Sequence, residues 1–498
     1  MGVMRFLVRP VEMLGDWPEK HRAYMSGMDQ FVWPTRVETE GEYLLLKRNS
    51  SDSAKLNLPW TIPGFGEQVV TTSSLPEREQ PYLLPLELAR GKIVQVRNQA
   101  AAWQQLGMLL TSDYTEAMRG SFRLFAQAAS SQSQVDESAR LALEALTAAF
   151  RASERLSRDY TTQRLENRHR QYPQLPTALG CHLGSQMLPE ASRTPYLEAF
   201  NAAAVPVEWR IIEPIEGSYH WDAYDEQVQW ATQQGLLVRG GPLLDFSPDG
   251  LPSWLWQWEN DYWNLESFVC DFVETAVTRY LGRIRAWEIA ARANTGGMLA
   301  LSEEQRLQLV AKAIDTARRV DPEAQFLLRI DQPWGEYQAR GQHRLSPLQF
   351  ADTLVRAGLP ISAINLEIAV GYSPRGSLPR DLLDCSRLID QWSLLGTPLA
   401  VTLACPSSDL PDSNIETDLE VDHGPRHTHW TEQLQAEWVN TLLPLCLAKP
   451  AVAAVYWCHL EDAQPHRFPH AGLISSEGHR KPAHAAVVHY RRTYWKNS

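Results

Sequence analysis

Apolar residues return along this chain with two periods, one of strand type and one helical. From Thr177 onward, short apolar runs fall at 178–183, 203–209, 237–244, 284–290, 325–330, 363–368, 399–404 and 453–458. Between them, helical spacing of apolar positions fills 221–234, 265–280, 302–319, 346–357, 378–392 and 431–447. The first pattern predicts strands and the second amphipathic helices. Eight such units in about 320 residues predict an α/β fold, a (β/α)8 TIM barrel of ordinary size. A doubly wound open sheet is the competing arrangement, but no glycine-rich nucleotide loop follows the first run.

The stretch before the barrel has a different texture. Residues 1–90 carry short strand-like runs at 43–47, 54–58, 68–72 and 82–86, broken by Pro59, Pro63, Gly64 and Gly66. This predicts a small β-sandwich-like module. A helical segment over 91–170 follows, its helices expected at 87–108, 113–128 and 135–168. The last of these spaces Leu146, Phe150, Leu156 and Tyr160 along one face. Tyr172-Pro173-Gln174-Leu175-Pro176 is a stiff linker, and the barrel is expected over 177–495.

Composition narrows the function classes. With 47 basic and 59 acidic residues the net charge is −12, which argues against general nucleic-acid binding. No apolar run is long enough for a membrane span. The first residues lack the apolar core of a secretory signal, so a cytoplasmic location is expected. The six cysteines are widely spaced, several within apolar runs, and read as buried free thiols. No cofactor is implied, and the oligomeric state is left open.

Four stretches of the barrel resemble glycoside hydrolase family 10, the endo-β-1,4-xylanase family. Phe200-Asn201 through Glu208-Trp209, then Glu213-Pro214 with Gly217, Tyr219 and Trp221, is similar to F-N-x-x-T-x-E-N-x-M-K-W-x-x-x-E-P-x-x-G-x-F. Val238-Arg239-Gly240-Gly241 through Leu251-Pro252-Ser253-Trp254 resembles V-R-G-H…L-P-x-W. Trp287-Glu288-Ile289-Ala290-Ala291-Arg292 lies where the family has W-D-V-V-N-E. Val455-Tyr456-Trp457 through Gly472-Leu473, then Lys481-Pro482-Ala483, resembles the closing W-G…L-F…K-P-A-Y. The likeness spans about 177–490. It implies the TIM barrel, O-glycosyl bond hydrolysis of the xylanase type, and an oligosaccharide or polysaccharide ligand.

The departures from the family pattern fall on the chemistry. Retaining glycosidases use two carboxyl groups about 5–5.5 Å apart. The resemblance places Arg292 at the acid/base and Leu403 at the nucleophile. An arginine is no general acid and a leucine no nucleophile. Two readings follow: a hydrolase with a rebuilt site, or a catalytically inactive saccharide-binding or scaffold protein on the same barrel. For a rebuilt site, Glu367 and Glu208 are the catalytic candidates. Glu367 sits in the apolar strand Ile364-Asn365-Leu366-Glu367-Ile368, where a carboxylate needs a partner or a raised pKa. Its alternative role is a buried ion pair with Arg292 or Arg329.

Ligand contacts are expected from residues at the strand ends and the loops above them: Trp209, Asp245, Trp254, Arg292, Arg329, Asp331, Trp457 and His459. Sugar rings stack on aromatic faces, and their hydroxyls seek charged and amide groups. His423, His427 and His429 lie in a Pro/Gly loop that supplies no ordered frame, so no metal site is expected.

Overall fold

The computed structural model describes residues 2–15, 17–341, 343–422 and 429–495, except the side chains of Pro18 and Glu19. The front of the chain forms β1 (Gly2–Leu7), β2 (Tyr24–Ser26), β3 (Val32–Trp33), β4 (Arg36–Glu40), β5 (Tyr43–Arg48), β6 (Lys55–Ile62), β7 (Gly66–Thr71) and β8 (Tyr82–Leu83). They build two four-stranded sheets, ordered β4-β5-β1-β8 and β3-β2-β6-β7. Met4, Phe6, Leu44 and Leu46 of the first sheet share one core with Met25, Leu56, Leu58 and Val70 of the second. That is the sandwich arrangement: each strand hides alternate side chains between the layers.

Three helices follow directly: α1 (Leu84–Gln105), α2 (Ser112–Ser130) and α3 (Val135–Gln171). The long α3 buries an alanine stripe of Ala142, Ala145, Ala149 and Ala152. Such small side chains let neighbouring elements approach closely. Ala142, Ala145, Leu146, Ala149 and Phe150 also enter the sandwich core, so helix and sheets form one packed module.

The barrel strands are β9 (Ala178–His182), β10 (Ala202–Val205), β11 (Leu237–Gly240), β12 (Leu244–Asp245), β13 (Ala286–Ala291), β14 (Gln325–Asp331), β15 (Ile361–Ala369), β17 (Leu399–Ala404) and β19 (Val452–Trp457). A small ribbon above them pairs β16 (Tyr372–Ser373) with β18 (Glu420–Val421). All barrel pairings are parallel, and β19 pairs back onto β9, so the sheet is closed. β11 and β12 are two pieces of one third strand, both beside β13. The eight expected runs are thus the eight staves of the barrel.

Helices α4 (Glu190–Ala199), α5 (Trp209–Ile212), α6 (Asp222–Gln233), α7 (Tyr262–Arg279), α8 (Glu303–Val320), α9 (Pro347–Arg356), α10 (Leu382–Ser393), α11 (Glu432–Ala448) and α12 (Pro482–Tyr494) complete the barrel layer. Sequence chemistry sets their starts. Ser302 with Gln305, and Ser346 with Gln349, form reciprocal capping boxes, and Thr431 caps α11 through the Leu434 N–H. Two strand ends differ from expectation. The second strand stops at Val205, because Pro206 donates no ladder bond, and Trp209 opens α5 instead. The third breaks at Gly241, whose φ is +99° and whose added Cβ would meet the Glu288 carbonyl at 2.2 Å.

The front module docks on one flank of the barrel. α3 packs on α10 and α11. Lys92 of α1 donates to Asp381 at 2.6 Å, and Ser153 of α3 donates to the same carboxylate. Nearer the mouth, Tyr24, Val32 and Val69 of the sheets cluster with Ala339 and Leu378 from the loops after β14 and β15. No helix among the described residues is long and apolar enough to cross a membrane.

Candidate functional site at the barrel mouth

Alternation along the strands decides what fills the barrel. On β13 the side chains of Trp287 and Ile289 join the core beneath the helices, while Glu288 points into the lumen. The same alternation sends Arg329 and Asp331 of β14, Asn365 and Glu367 of β15, and Thr402 of β17 inward. Small residues make the room. A Cβ on Gly180 would meet the Tyr456 ring at 2.5 Å, and Ala202 and Ala204 pack beside that tyrosine. The space admits Arg239, whose guanidinium lies 3.8 Å from the Tyr456 ring centroid.

The lumen is therefore an ionic stack. Glu288, with no exposed surface, pairs with Arg329 at 2.6 Å and Arg239 at 3.1 Å, and accepts from Asn365 at 2.6 Å. His182 at the end of β9 faces both cations, with Nε2 3.0 Å from Arg239 and 3.1 Å from Arg329. Arginine only donates, so this Nε2 accepts and the imidazole is neutral with its proton on Nδ1. Burial, then the Arg329 and Arg239 charges, hold His182 well below its ordinary pKa.

One layer higher, Arg292 follows β13 in a left-handed conformation, φ +61°. Its guanidinium straddles two carboxylates. It donates to Asp245 at 2.7 Å and, through Nε at 3.2 Å and through Nη2, to Glu367. Arg329 reaches Glu367 from below at 3.2 Å. Burial pushes the Glu367 carboxyl up, but Arg292 and Arg329 outweigh it and hold the group below its ordinary value. Asp245 is likewise pulled down, burial being overcome by Arg292 and Arg467. Arg292 in turn is held above its ordinary value, because Asp245 and Glu367 outweigh its burial. Val207 after β10 and Gln332 after β14 share the left-handed backbone, with φ of +45° and +44°. Such conformations cost about 1–3 kcal/mol each and cluster where surrounding structure fixes a site.

Above this layer lies a cavity of about 120 Å³. Its wall includes His182, Glu208, Asp245, Arg292, Arg329, Thr402, His459 and Arg467. Loops roof it. Arg210 bridges from the β10 side to Glu416 in the loop after β17 at 2.6 Å, while holding Glu208 at 2.9 Å. Arg467, from the loop after β19, donates to Ser247 at 2.9 Å. Burial, then the neighbouring Arg292, lowers the Arg467 pKa to about 10. Burial also raises the Glu208 carboxyl above its ordinary value, against the pull of Arg210.

Of the residues expected from sequence, the cavity brings together Glu208, Asp245, Arg292, Arg329 and His459. Glu367 and Asp331 lie below it, 4% and 2% exposed. The three tryptophans are elsewhere. Trp209 is buried, stacked on Phe272 at 4.6 Å, and bonds Glu213 at 2.7 Å. Trp254 is half-buried on the α7 side against Phe268, its indole donating to the Glu213 carbonyl. Trp457 is buried and donates to the Ala471 carbonyl. Trp209 and Trp457 are consumed by packing, while Trp254 stays partly exposed and lies outside the cavity lining. Leu403 also needs correction. The pleat turns it outward into the core under the helices, and Thr402 is the residue of that strand facing the cavity. His182, Glu416 and Arg467 were not anticipated, whereas a structural pairing of Glu208 with the neighbouring Arg210 was legible from their spacing and is formed at 2.9 Å. Of these only His182 had a signal, a polar residue inside the first predicted strand, one position before its end.

His459, Asp462 and His466 bring ligand atoms within 4.8 Å of one another. Yet the two imidazoles are stacked 4.5 Å apart at 12°. A metal lies in the plane of each ligating ring, and nearly parallel planes do not meet at bonding distance. Lys481 and the Gly472 N–H already occupy the Asp462 carboxylate. His423 and His427 lie outside the described residues, and His429 is exposed beside Asp409.

Asp331 gives a pH signature. Burial, reinforced by Glu367, raises its carboxyl to about 6, against the opposing Arg292. A raised carboxyl binds its proton more tightly folded than unfolded, so stability falls as pH rises from about 4 to 6 and stays lower above. Asp331→Asn is expected to gain about 3 kcal/mol at pH 7.5 and nothing near pH 4. Urea melts at the two pH values check this, and an equal gain at both would contradict it.

Residues 198–490 match the model for glycosyl hydrolase family 10. Endo-1,4-beta-xylanase B of Thermotoga neapolitana is 23% identical over 256 residues, 50% of this chain and 67% of that one. Endo-1,4-beta-xylanase 3 of Hypocrea jecorina is 32% identical over 126 residues, 24% of this chain and 35% of that one. Among solved structures, native xylanase 10B from Thermotoga maritima superposes with a TM-score of 0.47 at 18% identity, covering 68% of this chain and 98% of that one. Xylanase 10B from Thermotoga petrophila RKU-1, in complex with xylobiose, gives a TM-score of 0.47 at 17% identity, covering 66% and 97%. The chain belongs to glycosyl hydrolase family 10, residues 198–490 carrying the match.

Proposed function

We propose that the barrel mouth binds the end of a short saccharide and does not hydrolyse it. One observation carries the reading: Arg292 is clamped between Asp245 and Glu367. The resemblance puts this arginine where the family has its acid/base glutamate. A retaining glycosidase needs two carboxyl groups free to exchange protons or attack carbon. Here the two carboxylates beside Arg292 are charge partners, and their depressed pKa values suit ion pairing rather than proton donation. The seventh strand turns Thr402, not a carboxylate, toward the cavity. Arg467, Glu208, Ser247 and Thr417 around the rim offer the donors and acceptors that sugar hydroxyls require. The Arg210–Glu416 bridge crosses over this space, which suits the end of a chain and not a polymer threaded across it.

Calorimetry with xylose, xylobiose and xylotriose tests this. Binding is expected, weakened about tenfold by Arg467→Ala through loss of charge-assisted hydrogen bonds. Absence of heat with all three sugars would overturn the reading. A second reading rests on Glu208, whose raised carboxyl lies at the cavity beside the ionised Asp245. Such a split in pKa values is how acid and base are assigned in inverting hydrolases. Hydrolysis lost in Glu208→Gln would favour it.

A further inference from the structure

The loop that roofs the mouth is fastened to the loop after β19 through one histidine. The His466 N–H donates to the Asn414 carbonyl at 3.0 Å, and the Glu416 N–H donates to the His466 carbonyl at 3.0 Å. The His466 ring reaches Asp412 in the same roof loop, with Nε2 2.9 Å from the carboxylate. Asp412 gathers two further donors, the His470 N–H and the Asn414 N–H, each at 3.0 Å. Glu416, two residues beyond Asn414, then meets Arg210 across the cavity at 2.6 Å. The position of the roof is thus set from Asp412.

The partners of the two stacked histidines decide where their protons are. His466 Nδ1 lies 2.8 Å from the Gln464 carbonyl, and Nε2 faces the Asp412 carboxylate. Both partners only accept, so both ring nitrogens donate and the ring is an imidazolium. Either neutral tautomer would press a bare lone pair against an oxygen in a buried place. His459 is the reverse. Its Nε2 donates to Asp462 at 3.1 Å, and its Nδ1 faces the Cys458 Sγ at 3.5 Å. Burial holds that thiol in its protonated form, so it donates and His459 is neutral.

The electrostatics agree with these assignments. Burial acts to lower the His466 pKa, but the Asp412 hydrogen bond and charge outweigh it and hold it above its ordinary value. Burial acts to raise the Asp412 carboxyl, but the His466 hydrogen bond and the backbone donors hold it below. His459 is lowered to about 4, by burial and then by the charge on His466. The other groups packed around the pair have their own partners. Asp462 pairs with Lys481, the Tyr372 hydroxyl donates to the Pro469 carbonyl, and His470 turns Nε2 to the Leu410 carbonyl at 2.7 Å. Among the described residues, only His466 and, at 3.7 Å, His470 lie within ion-pair distance of Asp412.

We propose that His466 is a positioning residue of the barrel mouth, a buried imidazolium whose proton fastens Asp412 and so sets Glu416 over the cavity. When the proton leaves, one ring nitrogen repels its partner and Asp412 loses its charged donor, which loosens the roof. The stabilisation is complete below the unfolded histidine pKa, about 6.5, and is lost as pH rises through the higher folded value. The effect on a ligand rests on the saccharide reading, whereas the fastening of the roof does not.

The test uses the full chain, labelled with nitrogen-15. At neutral pH the ring nitrogens of His466 are expected to give imidazolium shifts and those of His459 neutral ones. Amide exchange in residues 409–418, corrected for its intrinsic pH dependence, is expected to quicken at least about tenfold as pH passes the His466 midpoint. His466→Gln and Asp412→Asn should each show the faster exchange already at neutral pH, without a further step at that midpoint. Xylotriose binding by the parent should weaken over the same pH interval, and in His466→Gln it should be weak throughout. Absence of sugar binding would remove the saccharide reading and leave the exchange result to decide the role of His466. A neutral His466 ring at pH 7 in the parent would overturn the proposal. So would exchange in 409–418 that follows neither the titration nor the two substitutions.

Discussion

Glu288→Ala is expected to destabilise the fold by about 3–5 kcal/mol, one of the two largest losses predicted for a single side chain here. The carboxylate has no exposed surface and is shared by Arg239, Arg329 and Asn365. Without it, Arg239 keeps only the Tyr456 face and the neutral His182, and two guanidinium groups face each other in the lumen. A buried charge stripped of its partner cannot be rehydrated in a filled barrel, so the desolvation penalty stands uncompensated. Glu288→Gln preserves the shape and removes only the charge, and should lose nearly as much. Urea denaturation measures both. A loss below about 1 kcal/mol for the alanine variant would show that the stack is not the keystone described above.

Arg292→Met comes next, with a loss of about 3–5 kcal/mol at neutral pH. It removes the cation between Asp245 and Glu367 and leaves Glu367 to Arg329 alone. The pH dependence distinguishes this mechanism from lost packing. Both carboxyls have folded pKa values below their unfolded ones. Their stabilisation is therefore complete above the unfolded carboxyl range, about 4, and disappears as pH falls through the folded values. The gap between parent and variant should be widest at pH 6–8 and narrow steadily below about pH 4. A gap constant across that range would mean the methionine costs only shape.

The barrel was legible because its signal is repetitive. Each stave is a run of apolar residues bounded by helix caps such as Ser302, Ser346 and Thr431, and one misread boundary leaves the count intact. The boundaries moved where the backbone is unusual, at Pro206 and at Gly241. The lumen was half legible. An ion pair of Glu367 with Arg292 or Arg329 was one of two roles open to that residue, and the structure forms both pairs.

The rim was less legible, for physical reasons. A tryptophan near a strand end can stack on a ligand or fill the layer between strand and helix, and sequence does not say which. Trp209 and Trp457 took the second course, and Trp254 packs against Phe268 with part of its surface exposed. Leu403 and Thr402 are one residue apart, and a single step along a pleated strand exchanges lumen for core. Arg210 meets Glu416, and Arg467 meets Ser247, across the mouth from loops far apart in the chain. No local pattern marks residues whose partnership exists only after folding.

The central claim is that Arg292 and its carboxylate partners hold the mouth together rather than break glycosidic bonds. The most direct test is release of aryl alcohol from an aryl β-xyloside by excess protein, parent beside Glu208→Gln and Glu367→Gln. All three are expected to match the rate in buffer while the parent still binds xylotriose. Release by the parent that either substitution abolishes would contradict it.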